Sequence, residues 1–319
     1  MNYSKIVAGS LATSLEATCQ TKGLDVALAA SRTVAERVLY NWRVGFGGSP
    51  FLVKGGMLFP QELRPTRSAD LVTVVRWTEE ELARGLGKIT DTLRAEGIAI
   101  NRVKFREISH GGADPVVRVD FHATFGHIRT NAQVNVAHAS GPFAFPQEPQ
   151  RQELPSLVAR LPPVIVYCQP LAASAAEKWF AVLTQRHDDF QAKHGMDLLS
   201  FDEIGLDPTD VAIEMIRTAR HRRIPLSECA PSPQALEWTS FLLRADSWIK
   251  TAAERRIADF DAWQTYELLN RFWARTHQAL TKAVIADVRR DMGIRPSLVD
   301  RLAERQRQSA PYHPPQSTP

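Results

Sequence analysis

The chain has 319 residues, of which 39 are Lys or Arg and 35 are Asp or Glu, so it carries a formal charge of +4 and a sequence pI near 9.0. With 44% hydrophobic and 23% charged residues, it has a globular composition that excludes collagen-like, coiled-coil and wholly disordered proteins. Three scattered cysteines suit no disulfide framework, and no run of about 18 apolar residues occurs. We therefore expect a cytoplasmic protein with no membrane partner.

The first half of the chain alternates helix and strand patterns. Apolar residues at three- and four-residue steps predict a helix over 24–42. Capping-box spacing between Thr78 and Glu81 predicts a helix that reaches about residue 96, and Ser174 with Glu177 repeats this spacing at the start of another. A surface connection is predicted at 141–155. Strands are predicted at 51–53, 70–75, 103–108, 116–123, 132–136 and 164–167.

From residue 208 onward long helical patterns replace the strand patterns. Helices are predicted at 208–223, 232–244, 263–291 and 297–307. The chain therefore reads as α+β, with a mixed α/β domain at 1–205 that includes an N-terminal helix and a helical domain at 206–308. Residues 309–319 are predicted to be a disordered tail.

A Gly-Gly turn is the most informative feature of the first half. Lys54-Gly55-Gly56 follows a predicted strand and precedes a short apolar segment that reads as a helix. Backbone N–H groups at such a turn, with the positive end of a helix, bind phosphate. An acid on the next strand, here Asp70, can hold the divalent ion that accompanies a nucleoside triphosphate. On spacing alone, a tight turn and a capping or surface Asp are the commoner explanations of these residues.

The motifs around this turn resemble the nucleotidyltransferase family of AbiEii/AbiGii toxins. The resemblance begins with a helix that ends near Trp42, and it spans roughly residues 26–226. Downstream, Ala176-Glu177-Lys178 resembles the family's Ala-Glu-Lys helix, and Met196-Asp197-Leu198-Leu199 stands where a Lys-Asp-x-x-Asp-Leu string is usual. The other matching segments are Lys54-Gly55-Gly56-Met57-Leu58, Arg64-Pro65-Thr66-Arg67, Asp70-Leu71 and Arg222-Arg223.

The resemblance implies a nucleotidyltransferase-like mixed sheet with flanking helices and a helical C-terminal part. It also implies transfer of a nucleoside monophosphate from an NTP to RNA, commonly the tRNA 3′ end, with Mg²⁺ or Mn²⁺. The implied partners are tRNA or another RNA and a cognate antitoxin encoded nearby. The implied catalytic residues are Asp70, which would also bind the metal, Lys178 and Asp197, and the implied nucleotide-binding residues are Lys54, Gly55, Gly56 and Ser68.

Two departures from the family pattern lower the charge of the implied site. Ser68 stands where most relatives have the first acid of an Asp-x-Asp pair, and Asn135 stands where a later strand often has Asp. Two readings follow: an active enzyme, or a degenerate member that acts as a non-enzymatic RNA- or protein-binding module. Asp120 could replace the missing strand acid, although a solvent-facing strand residue fits its pattern better. If the site is active, Ser68 is a candidate switch, because a phosphate there would repel nucleotide and Asp70.

The second half of the chain carries the excess of positive charge. About +3 of the +4 net charge falls after residue 205. Four guanidiniums cluster near the end of the helix predicted at 208–223, where they suit either RNA phosphates or a solvated helix terminus. The predicted RNA-binding residues are Arg217, Arg220, Arg222 and Arg223.

Overall fold

The computed structural model describes residues 3–108, 116–138, 149–154, 156–184, 188–225, 236, 241, 244–255, 257 and 259–291. The helices are α1 (Tyr3–Lys22), α2 (Val26–Tyr40), α3 (Trp42–Phe46), α4 (Glu79–Ala95), α5 (Leu171–Thr184), α6 (Asp188–Glu203), α7 (Pro208–Arg222), α8 (Ala245–Glu254) and α9 (Ala262–Asp291). The strands are β1 (Phe51–Lys54), β2 (Ser68–Thr73), β3 (Ile98–Ile108), β4 (Val116–Phe125), β5 (Ile128–His138), β6 (Gln150–Leu154) and β7 (Val164–Cys168). A 3₁₀ turn, Gly55–Leu58, follows β1.

The strands form one mixed sheet in the order β3-β4-β5-β2-β1-β7-β6. Strand β2 pairs parallel with β5 and antiparallel with β1, and β1 pairs parallel with β7. The other neighbours are antiparallel. The predicted mixed sheet with flanking helices and a helical C-terminal part is confirmed. The short strands β1 and β2 lie at its centre, where residues far apart in sequence meet.

The two faces of the sheet differ in polarity. On one face Phe121 and Val134 are buried, and α2 packs there through a 2.6 Å hydrogen bond between the hydroxyls of Ser31 and Thr130. Side chains alternate between faces along a strand, so the neighbours of these residues point the other way. That second face carries polar residues, and it includes Asp70 and its partners.

Two apolar cores divide the described residues. The first is built by the sheet and α1 to α4, and the second by α5 to α9 with Phe59. Helices α5 and α6 belong to the second core although they precede residue 205, and the domain boundary at residue 205 stays a prediction. Among the described residues, no helix is both long and apolar enough to cross a bilayer.

Most predicted elements are observed within a few residues of their expected bounds. The helices predicted at 208–223 and 263–291 correspond to α7 and α9, and the strand predicted at 70–75 is β2. Helix α1 was not predicted. The helix predicted at 232–244 lies largely outside the described residues, and the helix at 297–307 and the tail at 309–319 lie wholly outside them.

Two local predictions are wrong. The predicted connection at 141–155 contains β6, a polar strand that pairs with β7 at the sheet edge, where polar composition is usual. Ser174 does not cap α5, which begins three residues earlier at Leu171. The Ser174 N–H already donates to the carbonyl of Pro170, and its hydroxyl donates to Gln169 instead of to the helix start.

The capping box at the start of α4 is confirmed. The Glu81 N–H donates to the Thr78 hydroxyl at 3.2 Å, and the Thr78 N–H donates to the Glu81 carboxylate at 2.9 Å. Two N–H groups that the helix cannot satisfy internally therefore have partners. This fixes the entry of the chain into a helix whose apolar side joins the first core.

We expect Thr78→Ala to lower the free energy of unfolding by about 1 kcal/mol, because the Glu81 N–H loses its acceptor. Thr78→Ser keeps the hydroxyl and should stay within a few tenths of a kcal/mol of the wild type. Urea unfolding followed by circular dichroism compares the variants. Equal midpoints for the Ala and Ser variants would show that the capping box contributes nothing.

Candidate active site

The candidate site lies where β1 ends beside β2. In the antiparallel register Lys54 stands opposite Asp70, so the last residue of one strand meets the predicted metal-binding acid of the next. Ser68 lies two residues before Asp70 and therefore on the same side of β2, and both are half-buried. The Gly-Gly turn follows Lys54 directly.

The two glycines make room for side chains of the site. Gly55 has φ +71°, and a Cβ there would lie 2.6 Å from Oδ2 of Asp70. A Cβ on Gly56 would overlap the guanidinium of Arg64. Any larger residue at either position would therefore displace a charged group of the site, and at Gly55 the backbone itself would be strained.

The segment after the turn differs from the predicted helix. It is a 3₁₀ turn of four residues, Gly55–Leu58, and such a short element has only a small dipole. The positive potential of the site therefore comes mainly from cationic side chains.

Asp70 is oriented by a chain of hydrogen bonds across the sheet. The side-chain amide of Asn135 on β5 donates to Oδ1 of Asp70 at 2.7 Å, and Nε of Arg118 on β4 donates to Oδ1 of Asn135 at 3.1 Å. Asn135 thus holds the one strand carboxylate in place where many relatives have a second acid. The other oxygen of Asp70 faces the Gly-Gly turn.

Asp197 on α6 is a buried hub for three cations. Arg64 binds it with two hydrogen bonds, from Nε to Oδ1 at 2.6 Å and from Nη2 to Oδ2 at 3.1 Å. Nζ of Lys178 on α5 lies 3.3 Å from Oδ2, and Nη2 of Arg255 on α8 donates to Oδ1 at 2.5 Å. The carboxylate is 1% exposed. Four segments of the chain therefore meet on one side chain.

A second buried arginine fixes the segment that carries Arg64. Arg32 on α2 pairs with Glu36 at 2.6 Å and donates to the carbonyls of Phe59 and Met57 at 2.8 and 3.2 Å. It also donates to the side chain of Gln61, which accepts from the Thr66 N–H. These bonds hold both ends of the segment between the Gly-Gly turn and β2.

The electrostatics of the site follow from burial and from these pairs. Burial opposes ionisation of Asp197, but Arg64, Lys178 and Arg255 outweigh it and hold the pKa of this carboxyl well below its usual range. Burial lowers the pKa of Lys54 to about 8, against the attraction of Glu177 and Asp70. At neutral pH the Asp197 carboxylate is therefore ionised, and the Lys54 amine is protonated in most molecules.

The described side chains of the site carry more positive than negative charge. Five cations interact electrostatically with a set of four carboxylates, which leaves an excess of one positive charge. The cations are Lys54, Arg64, Lys178, Lys193 and Arg255, and the carboxylates are Asp70, Glu177, Asp197 and Glu254. Such a site favours an anion.

The donor set suits a divalent metal that is shared with a nucleotide. Among the described residues, no three acidic, Cys or His side chains cluster as a metal site. Asp70 has one oxygen turned to the Gly-Gly turn, and the Ser68 hydroxyl is on the same side of the strand. Mg²⁺ is commonly held by one or two carboxylates together with water and substrate phosphates, so Asp70 and Ser68 fit a metal that arrives with a triphosphate.

The predicted catalytic and nucleotide-binding residues come together, whereas the predicted RNA-binding residues form a separate group. Arg217 pairs with Glu214 at 3.2 Å, and the guanidinium of Arg222 lies 5.5 Å from the ring centroid of Phe180. Arg223 ends α7 with φ 55°, and Arg220 is exposed on the same helix turn. RNA binding by Arg217, Arg220, Arg222 and Arg223 stays a prediction.

Sequence reasoning assigned no role to three cations of the site. Arg64 belongs to the family-like string, and Lys193 precedes Asp197 by four residues, the spacing of neighbours on a helix. Both signals were therefore available from the sequence. Arg255 lies in the Arg-rich helical half of the chain, and its largely buried side chain pairs with Asp197. Its partner lies 58 residues away, which no local pattern encodes.

Asp120 is a buried strand residue and not a solvent-facing one. It is 8% exposed, its Oδ1 accepts from Gln133 at 2.7 Å, and its Oδ2 accepts from Arg106 at 2.6 Å. Burial is outweighed by these partners, which lower the pKa of the carboxyl. Because both oxygens are engaged, Asp120 does not take the place of the missing strand acid.

Comparisons with known proteins found one matching family model and similar solved structures. The model of the nucleotidyl transferase AbiEii toxin family, of type IV toxin–antitoxin systems, matches residues 37–265. Two solved structures are similar: a proposed nucleotidyltransferase from H. pylori (13% identity, TM-score 0.47, covering 80% of this chain and 97% of that one) and JHP933 from Helicobacter pylori (11% identity, TM-score 0.44, covering 80% and 95%). No curated protein matches the chain.

The mixed sheet, with an acid beside a Gly-Gly turn and a surrounding ring of cations, defines a nucleotidyltransferase-type protein. The family match covers more than half of the chain, and the protein belongs to the AbiEii nucleotidyl transferase toxin family of type IV toxin–antitoxin systems. This family implies an NTP substrate, usually a divalent metal, and an antitoxin partner.

We expect Asp197→Asn to lower the free energy of unfolding by about 3–5 kcal/mol, because it removes the buried charge that Arg64 and two partly buried cations share. Asp202→Asn is the matched control, since Asp202 pairs with Arg275, whose side chain is 54% exposed. That change should cost less than about 1 kcal/mol. Thermal unfolding of both variants measures the difference, and equal losses would show that Asp197 is not a structural hub.

The lowered pKa of Lys54 predicts a pH-dependent stability. Between about pH 8, its folded value, and 10.5, its ordinary value, the unfolded chain holds one more proton, so the contribution of Lys54 to stability rises with pH. We expect the stability difference between wild type and Lys54→Met to shift by about 2–3 kcal/mol in favour of the wild type from pH 8 to 10. Lys88→Met is the control, because Lys88 is an exposed residue of α4. Parallel pH profiles of wild type and Lys54→Met would contradict the prediction.

Proposed function

We propose that this protein transfers a nucleoside monophosphate from an NTP to the 3′-terminal hydroxyl of an RNA, with tRNA as the acceptor, and that it is the toxin of a toxin–antitoxin pair. The observation that carries the proposal is that cationic side chains outnumber carboxylates around Asp70 and the Gly-Gly turn. A Mg²⁺–NTP complex carries about two net negative charges at neutral pH, so it complements this site.

The residues of the site have different proposed roles, which follow from their positions. Lys54 and Lys178 would act as point charges on the phosphates. Arg64 binds Asp197 through Nε and Nη2, and its Nη1, which lies beside Gly56, would donate to a phosphate oxygen. Gly55 and Gly56 keep the turn free of side chains and let the triphosphate approach Asp70. Asp70, with Ser68, would hold Mg²⁺ or Mn²⁺, which when bound neutralises phosphate charge.

The proposed reaction balances without any further reactant. The RNA hydroxyl oxygen forms a bond to the α-phosphorus, and the bond from that phosphorus to the oxygen bridging to the β-phosphate breaks. Pyrophosphate leaves with the electron pair, and the hydroxyl proton passes to Asp70 or to water. Negative charge grows on the leaving group, so preorganised cations beside it lower the barrier.

Asp197 acts on this chemistry through its partners. Both of its oxygens are occupied by Arg64, Lys178 and Arg255, so the carboxylate is not available to a metal. It keeps the cations of three segments within a few Å of one another, although they repel. We therefore assign Asp197 as a positioning residue for the phosphate-binding cations.

The antitoxin partner implied by the family is proposed to be encoded nearby and to control nucleotide transfer by this protein. Half-buried Ser68 is the proposed point of control, since a phosphate on its hydroxyl would add about two negative charges beside Asp70. The phosphate group on Ser68 would occupy the place of the incoming triphosphate.

One observation favours a second candidate function. The strand position that could supply another acid is Asn135, and its amide is committed to Asp70 and Arg118. With a single strand carboxylate the site could bind nucleotide without turnover. In that case the protein acts as a non-enzymatic module that binds RNA or a partner protein.

The test is transfer of labelled nucleotide to total tRNA with Mg²⁺, assayed with each of the four NTPs. We expect wild-type protein to extend the RNA, and Asp70→Asn to lower the rate by at least about 10²-fold while the fold is retained. Asp91→Asn, an exposed acid on α4, is the matched control and should keep the wild-type rate. If wild type labels no RNA with any NTP, the enzymatic proposal fails and the binding-module alternative replaces it.

A further inference from the structure

The polar face of the sheet carries a row of cations that the proposed chemistry does not use. Along β3 every outward residue from 102 to 106 is cationic: Arg102, Lys104 and Arg106, all exposed. In register with Arg106 is Arg118 of β4, which contacts Asn135 and through it reaches Asp70. We call Arg102, Lys104, Arg106, Arg118 and Arg129 the basic face.

The register places the basic face on the same side of the sheet as Asp70. Arg106, Arg118, Asn135 and Asp70 stand opposite one another across four adjacent strands, so their side chains point the same way. Arg129, exposed at the far end of β5, stands opposite Thr124 and also points to this side. The face thus continues from the candidate site to the sheet edge.

The described helices that pack on these strands do so on the opposite side. Ser31 of α2 bonds Thr130, which points away from the basic face, and Leu86 and Leu93 of α4 join the first core with Val119 and Phe121. The cations of the basic face bury no apolar area, so they contribute nothing to a core. Ordering their long side chains still costs conformational entropy. Their placement points to a ligand of opposite charge.

We propose that the basic face binds the phosphate backbone of the acceptor RNA and guides its 3′ end to Asp70. This inference rests on the proposed function for the identity of the acceptor. Among the five cations lies one carboxylate, Asp120, which Arg106 and Gln133 already engage, so the face keeps a net excess of four positive charges. The phosphates of RNA complement that charge.

The spacing and chemistry of the face define the mode of binding. Cations at every second residue of β3 are about 7 Å apart, which corresponds to about one per two nucleotides of a stacked strand. The outward positions of β3 to β5 between residues 102–106, 118–124 and 129–135 carry no Phe, Tyr or Trp, and His122 is the one aromatic ring among them. Contact mainly with the RNA backbone is therefore predicted, with little dependence on RNA sequence.

The distance across the strands sets a length requirement for the acceptor. Asp70 and Arg106 are separated by three strand spacings of about 4.8 Å, which gives about 14 Å. A strand with a rise of about 3.4 Å per nucleotide spans this distance in about four nucleotides. The basic face should therefore assist acceptors of about five nucleotides or longer and leave dinucleotide acceptors unaffected.

The test compares two double variants that each remove two exposed charges. Arg102→Gln with Lys104→Gln changes the basic face, and Arg84→Gln with Lys88→Gln changes α4 on the opposite side of the sheet. Binding of a labelled 12-nucleotide single-stranded RNA is followed by fluorescence anisotropy over a range of salt concentrations. We expect the first variant to lose at least about tenfold in affinity and about 1.4 in salt slope. The α4 variant should bind like the wild type.

The outcomes separate this inference from the proposed function. RNA binding that needs Arg102 and Lys104 in a protein that transfers no nucleotide would leave the basic face standing and overturn the proposed activity. If the protein transfers nucleotide but the variant of Arg102 and Lys104 keeps the wild-type RNA affinity, the proposed activity stands and the basic-face inference fails. The inference is also overturned if wild type binds no RNA, if the α4 variant loses equally, or if only Arg222→Gln with Arg223→Gln weakens binding.

Discussion

The carboxylate of Asp197 is the constraint on which the site depends. It is buried, and it accepts from arginines of the loop before β2 and of α8, with a lysine of α5 beside it. Without this charge three cations would be held together in a poorly solvated place, where their repulsion is strong. Asp197 therefore joins the sheet to the helical half. By holding the three cations together, it also concentrates the positive potential that an NTP needs. One interaction serves both stability and the proposed chemistry.

The departures from the family pattern are compensated in part by hydrogen bonding. Asn135 brings no charge, but its amide donates to Asp70 and its oxygen accepts from Arg118, so it orients the remaining acid. Fewer carboxylates also leave the site more positive, which favours the triphosphate over a second metal. The arrangement is consistent with chemistry that depends on cationic side chains and one shared metal ion.

The local features of the fold were predictable from sequence because they depend on neighbouring residues. The Thr78 cap, the bounds of α7 and the turn at Gly55 each follow from short-range backbone chemistry. The partnership of Asp197 with Arg64 and Arg255 joins residues 133 and 58 positions apart, and it required the tertiary structure. The basic face was hidden for another reason: strand cations alternate with apolar residues, and the half that carries them is nearly neutral overall.

The central claim is that the cations gathered by Asp197 form a triphosphate site facing Asp70. The most direct measurement is a crystal structure with a non-hydrolysable NTP analogue and Mg²⁺. The account predicts phosphates within hydrogen-bonding distance of Lys54, Lys178 or Arg64, the Gly55-Gly56 turn beside them, and the metal on Asp70. A nucleotide bound elsewhere, with Asp70 free of metal and the cations of Asp197 untouched, would contradict it.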